Sequence, residues 1–326
     1  LDKAVYFNAY GTPRGRRTYQ EVIDTTFAYI DLLRSSPVEE WRFQAQQVMM
    51  STAFRFLDRA APIHYVSSLA NRLHDHAPED VLIAPYLMDQ FDAGLIRQYL
   101  ERLNREALVA VLVAPDAEVD RSEPWYDAAY ALRPLPPVGP PGAEVVENLR
   151  LPEPNPFIPS DLALLSGATM RIPEKLTGTG PLEAWHAQDL SFNSPKASYY
   201  LSLRTPLTNA SARDVVLTEL FVSMAREQLT EFAYPAYLAG LEFKLYKHQR
   251  GLTLRIDGFS QKQPELLAEI LQTLTEFDAD PVLFERFRKE MQRDLRNNLQ
   301  NKPFERLATQ SRQLLLHPNW SEEEQL

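Results

Sequence analysis

The chain has 326 residues, no cysteine, and a formal net charge of −10 from 34 basic and 44 acidic side chains. Lacking thiols, it has no disulfide framework, thiolate metal site or cysteine nucleophile, and its acidity excludes phosphate-backbone binding as a main role, because that binding rests on cationic neutralisation. Single cores stop growing at about 250–300 residues, so two domains are expected, and no apolar run approaches the roughly 18 residues of a membrane span.

In chain order, Ala4–Tyr10 is expected as a strand with Val5, Phe7 and Ala9 facing one way, closed by a turn at Gly11-Thr12-Pro13 and Gly15. Tyr19–Arg34 reads as an amphipathic helix presenting Val22, Ile23, Phe27, Ile30 and Leu33 on one face. Further helices are predicted over about Val38–Leu57, Ile63–Leu73 and Asp92–Leu103. The apolar run Ala107–Val113, closed by Pro115, is of strand type. Prolines then cluster at 134, 136, 137, 140, 141, 152, 154, 156 and 159. Proline fixes φ and lacks the backbone donor, so this stretch is expected to be neither helix nor central strand but a semi-rigid extended linker. The domain boundary falls in it.

Beyond the linker, Ser198–Leu203 has strand character, and Asn209 or Ser211 is a candidate N-cap for a helix running to about Phe232. Leu241–Tyr246 and Leu252–Asp257 flank Gln249-Arg250-Gly251, a hairpin signal. Helices follow at about Pro264–Thr275, Pro281–Asn301 and Glu305–Leu316. Glu322-Glu323-Glu324 reads as the acidic first turn of a helix starting after Ser321. The strand, helix, long helix, helix order of residues 4–73 returns over 252–316: Trp41 corresponds to Phe284, Phe56 to Leu299, and Leu73-His74 to Leu316-His317. Each copy lacks elements at the end where the other has them, as expected of a piece from the middle of a tandem array. Leu1-Asp2-Lys3 is neither an initiator methionine nor the charged start of a secretory signal. A processed N-terminus, or a chain beginning partway through a gene product, is therefore expected.

Candidate chemistry is sparse. His64, His74, His76, His186, His248 and His317 include no pair at the i, i+4 spacing that puts two imidazoles on one helix face. His74-Asp75-His76 reads as polar helix-end residues. Gly178-Thr179-Gly180 lacks the lysine and helix start of a phosphate loop and reads as a flexible turn. Arg14, Arg16 and Arg17 read as a solvated loop, and no serine lies in a G-x-S-x-G elbow. Glu219, Glu285 and Glu290 are helical carboxylates of the solvated or salt-bridged kind. Trp125, Tyr126 and Tyr130 offer either a ligand shelf or, as the expected reading, packing of the linker against the domain. No catalytic, metal-binding or cofactor-binding residue is assigned.

Leu151-Pro152-Glu153-Pro154-Asn155-Pro156-Phe157-Ile158-Pro159 resembles the LP-x-x-N-x-[FY]-IP segment of the pitrilysin/insulinase family of zinc metallopeptidases, including its bacterial members. Glu40-Trp41-Arg42-Phe43-Gln44, Glu123-Pro124-Trp125-Tyr126, Leu238-Ala239-Gly240-Leu241 and Gly258-Phe259-Ser260-Gln261-Lys262-Gln263-Pro264 extend the resemblance, in family order, over nearly the whole chain. It implies an α+β fold of two homologous units, each an antiparallel sheet packed against helices and both truncated. Residues 1–133 would be the latter part of a second, inactive unit, 134–159 the connection between halves, and 160–326 most of a third, inactive unit.

The family's zinc site, H-x-x-E-H on a helix of the first unit with a distal Glu, has no counterpart here: the matching helix, about Ala212–Leu229, holds no histidine. Carboxylates alone, such as Glu285 or Glu290, would suit Mg²⁺ or Ca²⁺ better than Zn²⁺. The resemblance thus implies the non-catalytic middle of a zinc metalloendopeptidase that encloses peptides, a wall with a substrate-contacting surface. Zinc would be bound elsewhere in the parent and not by this span. Peptides and the remaining units of the same polypeptide would be its partners, with neither nucleic acid nor membrane involved. Periplasm and cytoplasm are equally compatible with a cysteine-free chain. The alternatives are a silent subunit paired with a separate active peptidase, and a helical scaffold unconnected with proteolysis, which would contain no sheet.

Overall fold

Apolar spacing of three and four residues becomes helix in ten segments among the described residues of the computed structural model, which describes residues 5–9, 18–114, 116–135, 139 and 143–326. Two compact units form, one from Leu1–Gln44 with Met88–Glu153, the other from Ala45–Leu87 with Pro154–Leu326. The predicted turn at 11–15 and the Arg14, Arg16, Arg17 cluster lie outside the described residues.

In the first unit, α1 (Tyr19–Ser35) buries Asp24 and Phe27. A buried carboxylate must be paired, and this one is. Both terminal nitrogens of Arg105 donate to Asp24 Oδ1 at 3.1 Å, Gln20 Nε2 adds a bond of 3.3 Å, and the guanidinium lies 4.4 Å from the Phe27 ring centroid. Arg34 reaches from α1 to the carbonyls of Leu100 and Leu103 at 3.0 and 3.1 Å. It thereby adds donors to carbonyls at the end of α4 (Ala93–Arg102), with a charge suited to a helix C-terminus. Two helices lie between these in sequence: α2 (Glu40–Arg55), which begins in the first unit and ends in the second, and α3 (Pro62–Arg72), in the second.

Several expectations fail in the first unit. Residues 5–9 and 108–114 form no ladder, and Val109, Val111 and Val113 stand 84, 82 and 90% exposed. An apolar run becomes a strand only where a partner supplies the other half of its hydrogen bonds, and among the described residues none is positioned to do so. A hairpin that the pattern did not signal pairs β1 (Arg121–Ser122) with β2 (Ala129–Tyr130). The proline-rich stretch is not wholly extended either: α5 (Ala143–Asn148) forms in its proline-free interval, where no ring removes a donor or clashes with the preceding turn.

The second unit is organised by a three-stranded antiparallel sheet of order β5–β7–β6, built from β5 (Lys196–Arg204), β6 (Leu241–His248) and β7 (Gly251–Phe259). The ladders run unbroken from Lys196↔Phe259 to Arg204↔Gly251 and from Leu241↔Gly258 to His248↔Gly251. Gly251 has φ +148°, and a Cβ there would collide with the Leu203 carbonyl. Only glycine lets the hairpin enter β7 at this closeness.

The helix α6 (Ala212–Leu238) starts at Ser211, whose Oγ accepts the Asp214 N–H at 3.1 Å, and runs past the predicted end at Phe232 to Leu238. Pro235 does not stop it. Val222, Ala225, Leu229 and Ala236, at steps of three, four and seven, meet Leu241, Leu245, Leu254 and Ile256 from the sheet and Leu266 and Ile270 from α7 (Gln263–Thr275) in one core. Phe157 joins that core, 3% exposed and edge-on to Phe232 at 5.5 Å, while Asn155 donates to the Pro235 carbonyl at 2.7 Å and accepts the Phe157 N–H at 2.9 Å. The N-x-F of the proline-rich motif is a clamp onto α6.

A separate hairpin, β3 (Glu174–Thr179) and β4 (Leu182–His186), was also unsignalled. Gly178 and Thr179 belong to its ladder, so only Gly180 of the predicted flexible turn sits in the bend. The helices α8 (Pro281–Asn298), α9 (Pro303–Leu315) and α10 (Glu322–Gln325) complete the unit, the last with a full Ser321–Glu324 capping box. Starts of α7, α8 and α9 recur 241 to 244 residues after those of α1, α2 and α3. The protein is α+β, and its sheet removes the purely helical alternative.

Candidate functional site: the open face of the sheet

Side chains alternate across a strand and directly paired residues share a face. One face of the β5–β7–β6 sheet carries Leu201, Leu254, Leu245, Ile256 and Phe243 into or against the core. The other carries cross-strand rows of polar groups: Ser198–Asp257–Glu242, Tyr200–Arg255–Lys244 and Ser202–Thr253–Tyr246, ending at Arg204 and His248. Nearly all are exposed or half-buried, and Thr253 alone is fully covered.

Charges on this face are balanced side by side. Arg255 Nε lies 2.7 Å from Asp257 Oδ2, Ser198 Oγ donates to Asp257 Oδ1 at 2.6 Å, and Lys244 lies 3.2 Å from Glu242. The hydrogen bond that Arg255 donates to Asp257 is the largest influence raising it above its ordinary value, and its guanidinium lies 5.1 Å from the Tyr200 ring centroid. Thr253 Oγ1 donates to Ser202 Oγ at 3.3 Å, and His248 Nε2 lies 3.4 Å from the same oxygen. His248 Nδ1 accepts the Arg250 N–H at 3.2 Å, which assigns the remaining proton to Nε2. The imidazole therefore faces Ser202 as a donor and is not set to take its proton, so this pair lacks the arrangement of an activated nucleophile. The face offers hydrogen bonds and paired charges over an extended flat area.

The residues considered from sequence do not converge. Each helical carboxylate has a cation beside it: Glu219 with Lys247 at 3.5 Å, Glu285 with Arg288 at 2.8 Å, Glu290 with Arg293 at 3.6 Å. The hydrogen bond from Arg288 is the first cause holding Glu285 below the ordinary carboxylate range. The histidines are spread over five places, His64 on α3, His74 and His76 together in the turn after it, His186 on β4, His248 on β6, and His317 after α9. Among the described residues no group of three or more His, Asp or Glu is placed to hold a metal ion. A zinc ion needs imidazole or free carboxylate donors in one place, and the residues present do not fit it. Trp125 and Tyr126 do not pack the linker against the domain as expected; they stand 87 and 90% exposed at the tip of the β1–β2 hairpin. Sequence reasoning missed the open sheet face, although the alternation of Glu242, Lys244, Tyr246 and His248 with Leu241, Phe243 and Leu245 was legible.

The architecture is that of an α+β unit whose sheet is covered by helices on one side and bare and polar on the other. A family model described as the middle or third domain of peptidase M16 matches residues 54–326, and the chain belongs to that family. It is similar to insulin-degrading enzyme of Bos taurus, 30% identical over 326 residues, covering 96% of this chain and 31% of that protein. It is also similar to the A-factor-processing enzyme of Saccharomyces cerevisiae, 27% identical over 337 residues, covering 97% and 31%, and to nardilysin of Mus musculus, 28% identical over 319 residues, covering 95% and 27%. The crystal structure of pitrilysin matches with a TM-score of 0.71 at 23% identity, over 96% of this chain and 34% of that one. The chain thus spans about a third of the length of these curated relatives.

Proposed function

We propose that this chain is the non-catalytic middle of a zinc metalloendopeptidase, and that its part in the reaction is to wall and contact the bound peptide. Residues 1–133 are then the latter part of a second unit, 134–159 the connection between halves, and 160–326 most of a third unit. The observation that carries the reading is the open face of the β5–β7–β6 sheet. It is rich in donors and acceptors, it pairs Arg255 with Asp257 and Lys244 with Glu242, and its side chains other than Thr253 are exposed or half-buried. Such a surface accepts many peptide sequences, because it offers hydrogen bonds and, apart from Arg204 at its end, charges that are balanced in pairs. The donor set of α6 and α8 supports the assignment of hydrolysis to other parts of the polypeptide, since these helices carry no histidine and Glu219, Glu285 and Glu290 each have a cation beside them.

The test uses the longer polypeptide containing this span. Tyr200→Ala with Ser202→Ala should raise KM severalfold for long peptides while leaving kcat, zinc content and the KM of short peptides within about twofold, the pattern of lost uniform binding. Equal kinetics for long peptides would end the wall reading. If the purified 326-residue chain cleaved a peptide and lost that activity to a chelator, the non-catalytic assignment would fail.

A further inference from the structure

The two most exposed large aromatic side chains of the β1–β2 hairpin are held on a fixed mount. The hairpin is closed by Asp120 N to Tyr130 O at 3.2 Å and Glu123 N to Ala128 O at 2.9 Å. Inside the bend, the Glu123 carboxylate accepts the N–H of Trp125 at 2.9 Å and of Tyr126 at 2.8 Å, and Asp127, at φ +53°, accepts the Ser122 hydroxyl. Backbone ordering is therefore complete before any partner arrives, and only two side-chain torsions per ring remain to be fixed. Neither ring meets another aromatic or a cation among the described residues.

Charge around the rings is uneven. Arg121 and Arg133 are answered by Asp120 at 3.8 Å and Glu118 at 3.0 Å. Glu123 and Asp127, which bracket the rings in sequence, have only neutral partners, a pair of backbone N–H groups and a hydroxyl. Two net negative charges thus sit in the same bend as two open π-faces. Ring faces attract cations, more strongly for Trp than for Tyr, and unpaired carboxylates favour the same sign. An apolar partner would strip water from both carboxylates and return nothing for it.

We propose that the Glu123–Asp127 bend is a docking site for a basic peptide segment, one Lys or Arg side chain lying over Trp125 and Tyr126 and another meeting the two carboxylates. It stands on the hairpin alone, independent of the sheet-face reading. The experiment is calorimetric titration of the 326-residue chain with a short arginine-rich peptide and with a same-length control carrying glutamate for arginine. The arginine peptide should bind, weaken with added salt, and lose affinity about threefold in Trp125→Ala and again in Tyr126→Ala, as expected for exposed cation–π contacts. Asp127→Asn keeps the acceptor for Ser122 and removes one charge, and should weaken binding without changing the hairpin's amide spectrum. Equal binding of the glutamate control, unchanged affinity in both ring variants, or preference for an uncharged apolar peptide would each overturn the proposal.

Discussion

Replacing Phe157 with alanine removes a ring that lies in the core of the second unit although prolines stand at 156 and 159 on either side of it. The ring is 3% exposed and edge-on to Phe232, with centroids 5.5 Å apart and planes at 81°. Burying a phenylalanine is worth about 2–3 kcal/mol of transfer free energy, an edge-to-face pair adds about 1 kcal/mol, and the cavity left behind brings the usual loss to about 3–5 kcal/mol. Against a typical stability of about 5–15 kcal/mol this is a large fraction. Urea unfolding followed by amide exchange in α6 and β7 would measure it, with Phe157→Leu as the volume-conserving control expected to cost less than about 1.5 kcal/mol. A loss below about 1 kcal/mol for Phe157→Ala would mean that the motif does not anchor the stretch, and the clamp derived from Asn155, Phe157 and Pro235 would be wrong.

Gly251→Ala should separate β5 from β7 at the Arg204 end, because the added Cβ meets the Leu203 carbonyl; loss of exchange protection at the Leu203 and Arg204 pairings would show it, and native protection would refute it. Asp24→Asn should destabilise the first unit by about 2–4 kcal/mol by leaving the partly buried Arg105 unpaired. Adding Arg105→Met should cost less than the sum of the single changes, as thermal unfolding of all four forms would report. Glu324 is held below the ordinary 4.5 chiefly by the Ser321 backbone N–H. A depressed carboxylate stabilises above its unfolded value and loses that contribution as pH falls through the folded one. The Ser321 amide should therefore still be protected at pH 4.5 and become exchangeable only as pH falls through the lower, folded value, whereas protection unaffected by acid would contradict the capping box.

Local patterns were read well where the signal is local. Steps of three and four residues placed α1, α3, α4, α7 and α8 to within a few residues, and the serine at 321 marked α10. Gln249-Arg250-Gly251 marked the β6–β7 hairpin because its turn residues and the alternation beside them agree. By contrast, Ala4–Tyr10 and Ala107–Val113 carry strand-like patterns and form no strand over their described residues. The hairpins β1–β2 and β3–β4 form with little apolar alternation. Strand pairing depends on a partner that the local sequence does not name.

The sequence by itself determined the helix faces, the absence of an imidazole pair on α6 and the motif that places the chain in the peptidase M16 family, because each depends on residue identity at short spacing. Tertiary structure alone decided that Phe157 enters a core built from Val222 to Ile270, far along the chain, that the sheet keeps one polar face bare, and that Trp125 and Tyr126 face solvent. Those outcomes rest on which distant surfaces reach one another, and burial is a property of the packed chain and not of a residue.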